Sequence, residues 1–324
     1  MNTKVLIIKT GANETFHEGD PGGACSLGDV VRTTPLLHIF EGDEVHWVTS
    51  QAAMPLLLSN PRITRVYSEE QGELEHELGL HRFDLVINLE RDSHWVKWVS
   101  RLSQRSSILG FVHAGRTSHS NSLLKCQSHS DLYSVSAWIK LKCSENKPFW
   151  QDWLFGLVGK NWSHERYALT KPTDRVLHDI GLNWKVGSKW PRKAMPQEIW
   201  RQAHDLMSET FNVSWQEGFS DLRAYAAWVA SCGLLLSHDS LGMHLAIAYE
   251  RNILALFADS SDEQIHLYGL GQKIRFGSQS DNAQTFEYSP YALHYSVQSF
   301  YSVHGKSPGL FSGPMDKVDA RLCR

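Results

Sequence analysis

Residues 234–257 read LLLSHDSLGMHLAIAYERNILALF, and this one stretch carries a strand, a turn, a helix and a second strand. Leu234, Leu235 and Leu236 form a short apolar run of the kind buried inside a parallel sheet. Asp239 and Ser240 follow, residues whose short polar side chains cap helices. From Leu241 to Tyr249 the apolar residues keep helical spacing, and residues 253–257 form a second apolar run. Strand, helix and strand in this order make a parallel βαβ unit.

The same alternation extends in both directions. Strands are predicted at 5–8, 45–48, 63–66, 85–87 and 108–111, with helices at 29–40, 52–58, 74–80 and 94–102. Residues 126–160 read as helical and aromatic, with Trp95, Trp98, Trp138, Trp150 and Trp153 as packing residues. The alternation restarts after Tyr167, with strands at 175–182, 213–215 and 273–276 and helices at 197–209 and 222–231. A chain of 324 residues exceeds what one core of about 250–300 residues supports, so two α/β domains are expected. The turn-rich ALTKPTD near residues 165–173 places the division between an N-terminal domain at 1–168 and a C-terminal domain at 169–324. The tail, from about 290 to 324, could return to the first domain.

Composition removes several function classes. A formal net charge of −3 lacks the basic excess of nucleic-acid binders. The five cysteines include no CxxC pair, which fits a reducing compartment better than a disulfide framework or a structural zinc site. The apolar run at 5–8 is too short for a signal peptide, and no run approaches the ~20 residues of a membrane span. A cytoplasmic location is therefore expected, with at most peripheral contact at the inner face of the plasma membrane. Seventeen histidines form no HxH, HxxxH or HExxH, and no DxD occurs, so no metal is expected. GxSxG is missing too, which leaves no nucleophile elbow.

Three segments could carry chemistry. GDPGGACSLGDVVRTTP, residues 19–35, follows the first strand, where open α/β sheets bind ligands. Ser26 and Asp29 fit a capping box, which would make Asp29 a structural residue. A helix N-terminus also favours the ionised carboxylate, so Asp29 could equally accept a proton. The two readings are compatible. Ser26, Gly28 and Arg32 are assigned to an acceptor-side loop. The second segment is SHDSLGMHLAIAYERNILALF, residues 237–257. The N–H groups of its helix form an anion site suited to a diphosphate, Gly242 would let phosphate come close, and His244 could donate a hydrogen bond to phosphate or sugar. The alternative makes Asp239 only a cap and His244 an interior histidine. The third segment, LNWKVGSKWPRKAMP at 182–196, clusters Lys185, Lys189, Arg192 and Lys193. It is either a diphosphate loop or a solvated basic turn.

In motif order these segments resemble glycosyltransferase family nine, the ADP-heptose heptosyltransferases. The resemblance rests on Leu27-Gly28-Asp29-Val30 with Thr33, Thr34 and Pro35, on Lys189 before Trp190-Pro191, and on Asp239-Ser240-Leu241-Gly242-Met243-His244-Leu245. It spans roughly residues 3–270. It implies a GT-B fold: two Rossmann-like domains facing across a cleft. It also implies inverting, metal-independent transfer from a nucleotide-diphosphate sugar, with ADP-heptose expected, to a hydroxyl of a glycan, lipid-linked or other acceptor. The family expectation for that acceptor is the core sugar of lipopolysaccharide. By the same resemblance Asp29 is the base, Lys189 binds the leaving diphosphate, Asp239 holds donor-sugar hydroxyls, and Ser240, Gly242 and His244 surround the phosphates. Two departures stand out. The loop at 11–25 is about a dozen residues longer than the family's turn, and Ala258-Asp259-Ser260 replaces its Gly-Pro-Thr. Two other classes remain open on the residues alone: a nucleotide-sugar isomerase or hydrolase, and a non-catalytic nucleotide-sugar-binding subunit.

Overall fold

The computed structural model describes residues 2–11, 25–90, 92–102, 105–111, 149–187, 193–218, 221–258, 262–276 and 289–305. Two five-stranded sheets organise them, and every strand pairing is parallel. The first contains β1 (Lys4–Ile8), β2 (Glu44–Thr49), β3 (Arg65–Ser68), β4 (Leu85–Asn88) and β5 (Ser107–Gly110), in the order β3-β2-β1-β4-β5. The second contains β6 (His178–Asn183), β7 (Val213–Trp215), β8 (Cys232–His238), β9 (Asn252–Phe257) and β10 (Gly271–Arg275), in the order β10-β9-β8-β6-β7. Helices α1 (Leu27–Val31), α2 (Met54–Leu57), α3 (Leu74–Leu80), α4 (Ser93–Leu102) and α5 (Trp150–Leu157) accompany the first sheet. Helices α6 (Gln197–Ser208), α7 (Leu222–Ala230), α8 (Leu241–Ala248) and α9 (Pro290–His304) accompany the second. These are two Rossmann-like domains facing across a cleft, the expected GT-B architecture.

The apolar runs have two destinations because side chains alternate along a strand. Val5 and Ile7 join one buried layer with Trp47 and Ile87, while Leu6 and Ile8 join the opposite layer with Val48 and Val86. The second sheet does the same. Leu234 and Leu236 pack toward Trp200, and Leu235 packs toward Trp228 and Met243.

Strand order also locates the crevices. In the first sheet the chain leaves β1 for β2 on one side and returns to β4 on the other, which opens a crevice above the carboxyl ends of β1 and β4. In the second sheet the reversal lies between β6 and β8. Helix α1 follows β1, α8 follows β8, and the two helices pack on each other. Val31, Leu56 and Tyr167 share one buried cluster with Tyr225, Met243 and Leu245. The two crevices therefore adjoin one seam.

One expectation is corrected. The helix predicted over 29–40 is two pieces: α1 stops at Val31, and a 3-10 turn runs over Thr34–His38. Pro35 has no N–H to continue an α-helix. The Thr33 hydroxyl donates to the Asp29 carbonyl at 2.8 Å and the Thr34 hydroxyl to the Val31 carbonyl at 2.7 Å, which satisfies acceptors left by the break. Helix α9, the described part of the tail, packs on α6 and buries Leu293, Val297 and Phe300 in the second domain's own core. Residues 306–324 lie outside the described residues. Trp95, Trp98, Trp150 and Trp153 are buried as expected, and Trp138 is outside the described residues. Among the described residues no helix is long and apolar enough to cross a membrane.

Candidate functional site

The first crevice is closed at its base by Glu90, just beyond β4 and 1% exposed. Its Oε1 accepts from the Thr10 N–H at 2.7 Å and the Gly11 N–H at 3.0 Å, with Lys9 Nζ at 3.5 Å. A buried carboxylate is tolerated only when bonded in this way. The network fixes the end of β1, from which the chain leaves for α1. Cys25 lies beside it, donating to the Thr10 carbonyl at 3.0 Å and accepting from the Ser50 hydroxyl at 3.0 Å. Burial pushes its thiol up to about 11, so it is not a nucleophile at neutral pH.

Asp29 is on α1. Ser26 stands at the N-cap but makes no side-chain cap hydrogen bond, so the capping box is not formed. The Asp29 carboxylate instead pairs with Arg32, one turn on, at 2.6 Å. The Arg32 guanidinium lies 4.3 Å above the Trp150 ring. Trp150 opens α5, and its backbone N–H donates to the Gln264 carbonyl of the second domain at 3.3 Å.

The second crevice is organised by Asn183, the last residue of β6 and fully buried. Its amide donates to the hydroxyls of Ser237 at 2.8 Å and Ser240 at 3.0 Å, and its carbonyl accepts from the Tyr225 hydroxyl at 2.9 Å. This network changes the reading of Gly242. A Cβ there would lie 2.3 Å from Asn183 Nδ2 and 2.5 Å from the Tyr225 hydroxyl. The small size of Gly242 admits these two side chains. Ser240 is the N-cap of α8 in extended conformation, and its side chain makes no cap hydrogen bond.

Lys189 lies outside the described residues. Lys193, from the same basic segment, reaches Asp239 with its Nζ 2.5 Å from the carboxylate and 3.4 Å from the carbonyl. The segment is held by His238, whose Nε2 accepts the Met195 N–H at 3.2 Å. His238 is buried against Trp200, and burial pushes its pKa down to about 4.

His244 takes the interior place rather than the phosphate place. It is 4% exposed, its Nδ1 is 3.3 Å from the Tyr167 hydroxyl, and its ring stacks on Tyr167. A Cβ on Gly28 would lie 2.6 Å from its ring, so Gly28 is the close-approach glycine of the α1–α8 contact. Burial pushes the pKa of His244 down to about 3 and raises that of the Tyr167 phenol. Both rings are neutral.

This neutral pair joins the two halves of the site. Asp239, Arg32 and Lys193 act electrostatically on His244, and Arg32, Asp239 and Asp29 act on Tyr167. Each domain thus brings one carboxylate–cation pair, Asp29–Arg32 or Asp239–Lys193, to the same seam. The arrangement can deprotonate a hydroxyl on one side and neutralise an anion on the other. Among the described residues no group of three histidine, cysteine or acidic side chains is placed to hold a metal ion.

Sequence reasoning had not singled out Glu90, Asn183 or Tyr167. Glu90 and Asn183 carry a readable signal, since each is polar at or just beyond the carboxyl end of a strand flanking the sheet's reversal point. Tyr167 carries none.

The buried histidines make stability depend on pH. Below the ordinary histidine value of 6.5, the unfolded chain takes up protons that folded His238 and His244 do not. Stability is therefore full above pH 6.5 and falls with acid until about 4 for His238 and about 3 for His244. The slope is up to about 1.4 kcal/mol per pH unit for each. Melting temperature measured from pH 7.5 to 4.5 should fall less steeply in His238→Gln, where the amide oxygen can still accept the Met195 N–H. Equal slopes would show that His238 does not contribute.

The pattern of glycosyltransferase family 9 (heptosyltransferase) matches residues 157–295. No curated protein sequence matches. Among solved structures, E. coli ADP-heptose lps heptosyltransferase II superposes with TM-score 0.63 at 14% identity, covering 94% of this chain and 100% of that one. A family 9 glycosyl transferase from Veillonella parvula gives 0.55 at 17% identity, covering 92% and 97%. E. coli heptosyltransferase WaaC with ADP gives 0.55 at 15% identity, covering 93% and 98%. At these identities the likeness establishes the fold that the chain shares with them.

Proposed function

We propose that this chain is an inverting, metal-independent glycosyltransferase of family nine that moves a heptose from ADP-heptose to an acceptor hydroxyl. The observation that carries the reading is the convergence of Asp29–Arg32 and Asp239–Lys193 on the buried Tyr167–His244 pair. Asp29 takes the proton of the acceptor hydroxyl. The acceptor oxygen bonds to the anomeric carbon as the bond from that carbon to the β-phosphate oxygen breaks, and ADP leaves with the charge. Lys193, with Lys189 as the second lysine of the segment, and the first-turn N–H groups of α8 meet that charge beside Ser240. Positive charge supplied in this way suffices for a leaving diphosphate. Asp239 holds donor-sugar hydroxyls. The acceptor side is the α1 surface around Ser26, Gly28 and Arg32, and the acceptor class is a lipopolysaccharide core glycan met at the inner face of the plasma membrane.

The test is to incubate the protein with ADP-heptose, with and without a lipopolysaccharide core acceptor, and to follow ADP release and product. ADP and heptosylated acceptor formed only with both substrates support the reading. Free heptose or an epimerised donor without acceptor would replace transfer by hydrolysis or isomerisation. ADP-heptose binding without any turnover would leave a binding subunit.

A further inference from the structure

Arg32 is placed so far only on the acceptor-side surface, yet its surroundings are those of a built device. It sits one turn after Asp29 on a helix of only five residues. One guanidinium nitrogen is 2.6 Å from Asp29 Oδ1, and the guanidinium plane rests 4.3 Å above Trp150. Both ion-pair side chains are largely buried, at 12% and 17% exposure. An exposed pair at this helical spacing is worth only a few tenths of a kcal/mol. A shielded pair whose cation lies on an aromatic face is held more firmly. The Trp150 ring in turn stacks on Trp153 at 4.8 Å, and the Trp150 backbone N–H is tied to the Gln264 carbonyl of the second domain. The chain of contacts runs from the second domain through Trp150 and Arg32 to Asp29.

We propose that Arg32, seated on Trp150, is the positioning residue that aims the Asp29 carboxylate into the domain seam. This deepens the transferase reading and rests on Asp29 being the base. The guanidinium occupies Oδ1 and fixes the carboxylate rotamer, so Asp29 meets the acceptor hydroxyl in one orientation. Because Trp150 is anchored to the second domain, that orientation follows the relative placement of the two domains. Among the described residues the other polar groups facing this place from the second domain are Asp239, Lys193 and His244, with Tyr167 from the interdomain connection. Asp239 and Lys193 are paired with one another, the two rings are neutral, and Arg32 is bonded directly to Asp29.

Three variants and two readouts test this. With ADP-heptose and a lipopolysaccharide core acceptor, Arg32→Gln should lower kcat at least tenfold with donor KM unchanged. It should also move the acid limb of the kcat profile up by about a unit or more, the size of effect an adjacent opposite charge exerts. Arg32→Lys should keep the limb in place and recover part of kcat. Trp150→Leu, which leaves the charge and removes its seat, should lower kcat without moving donor KM. The second readout needs no substrate. In protein labelled at the aspartate carboxyl carbons, with the Asp29 signal identified by its loss in Asp29→Asn, the titration midpoint in Arg32→Gln should rise by about a unit or more relative to the unchanged protein. An unmoved midpoint with an unmoved acid limb overturns the proposal. If Arg32→Gln does not fold, an Arg32→Lys protein whose acid limb rises by about a unit or more, or a Trp150→Leu protein with unchanged kcat, overturns it. Full turnover in Asp29→Asn overturns the base assignment instead, while the carbon titration still decides whether Arg32 governs Asp29.

Discussion

Asp29→Asn should lower kcat by about 10²–10⁴-fold, the range over which a positioned general base contributes, while the affinity for ADP stays within about twofold of the unchanged protein. The substitution keeps the size and shape of the side chain, and the amide oxygen can still accept from Arg32. Helix α1 and its contact with α8 through Gly28 and His244 are therefore retained. What is lost is the capacity to take a proton. ADP binding is the internal control, because the residues proposed for the diphosphate, Lys193 and the α8 N-terminus, belong to the second domain. Turnover within about threefold of the unchanged protein removes Asp29 as the base. A parallel loss of ADP binding would show that α1 supports the donor site rather than the chemistry.

Lys193→Met should lower kcat by about 10²–10³-fold, the cost of removing one preorganised donor to a developing anion, and weaken ADP binding at least tenfold. Two effects act in the same direction. The diphosphate loses a charge-assisted hydrogen bond. Asp239, largely shielded and bonded to Lys193 at 2.5 Å, loses its partner and presents an uncompensated carboxylate where the donor binds. Methionine keeps the length and apolar stem, so the hold of His238 on the Met195 N–H should survive and melting temperature should change little. Lys189→Met is the matched comparison, because the resemblance assigns the phosphate role to Lys189 and the contact with Asp239 belongs to Lys193. If Lys189→Met abolishes ADP binding and Lys193→Met does not, the pairing with Asp239 is a structural tie rather than a donor contact.

The positions of the strands and the segments that follow them were legible because strand periodicity is local. A run such as Val5 to Ile8 needs only its own residues to declare a strand buried on both faces. Capping chemistry was read less well. Ser26 and Asp29 have the spacing of a capping box, yet Asp29 turns to Arg32, a stronger partner than a backbone N–H. Pro35 signalled a helix break that the apolar pattern over 29–40 concealed. The aromatic character of the tail indicated packing but not its partner, which is α6.

The residues near 29, 189–193 and 239–244 were marked by sequence alone as the places where chemistry could sit, because each follows a strand and strand ends are set by short-range pattern. Only the tertiary structure decided what each side chain does there. Gly242 faces Asn183, 59 positions away along the chain in number, and His244 faces Tyr167 across a separation of 77, so neither contact leaves a trace in local spacing. The partners are chosen by strand order and by the packing of α1 on α8. Those in turn depend on which buried polar groups can satisfy one another away from water.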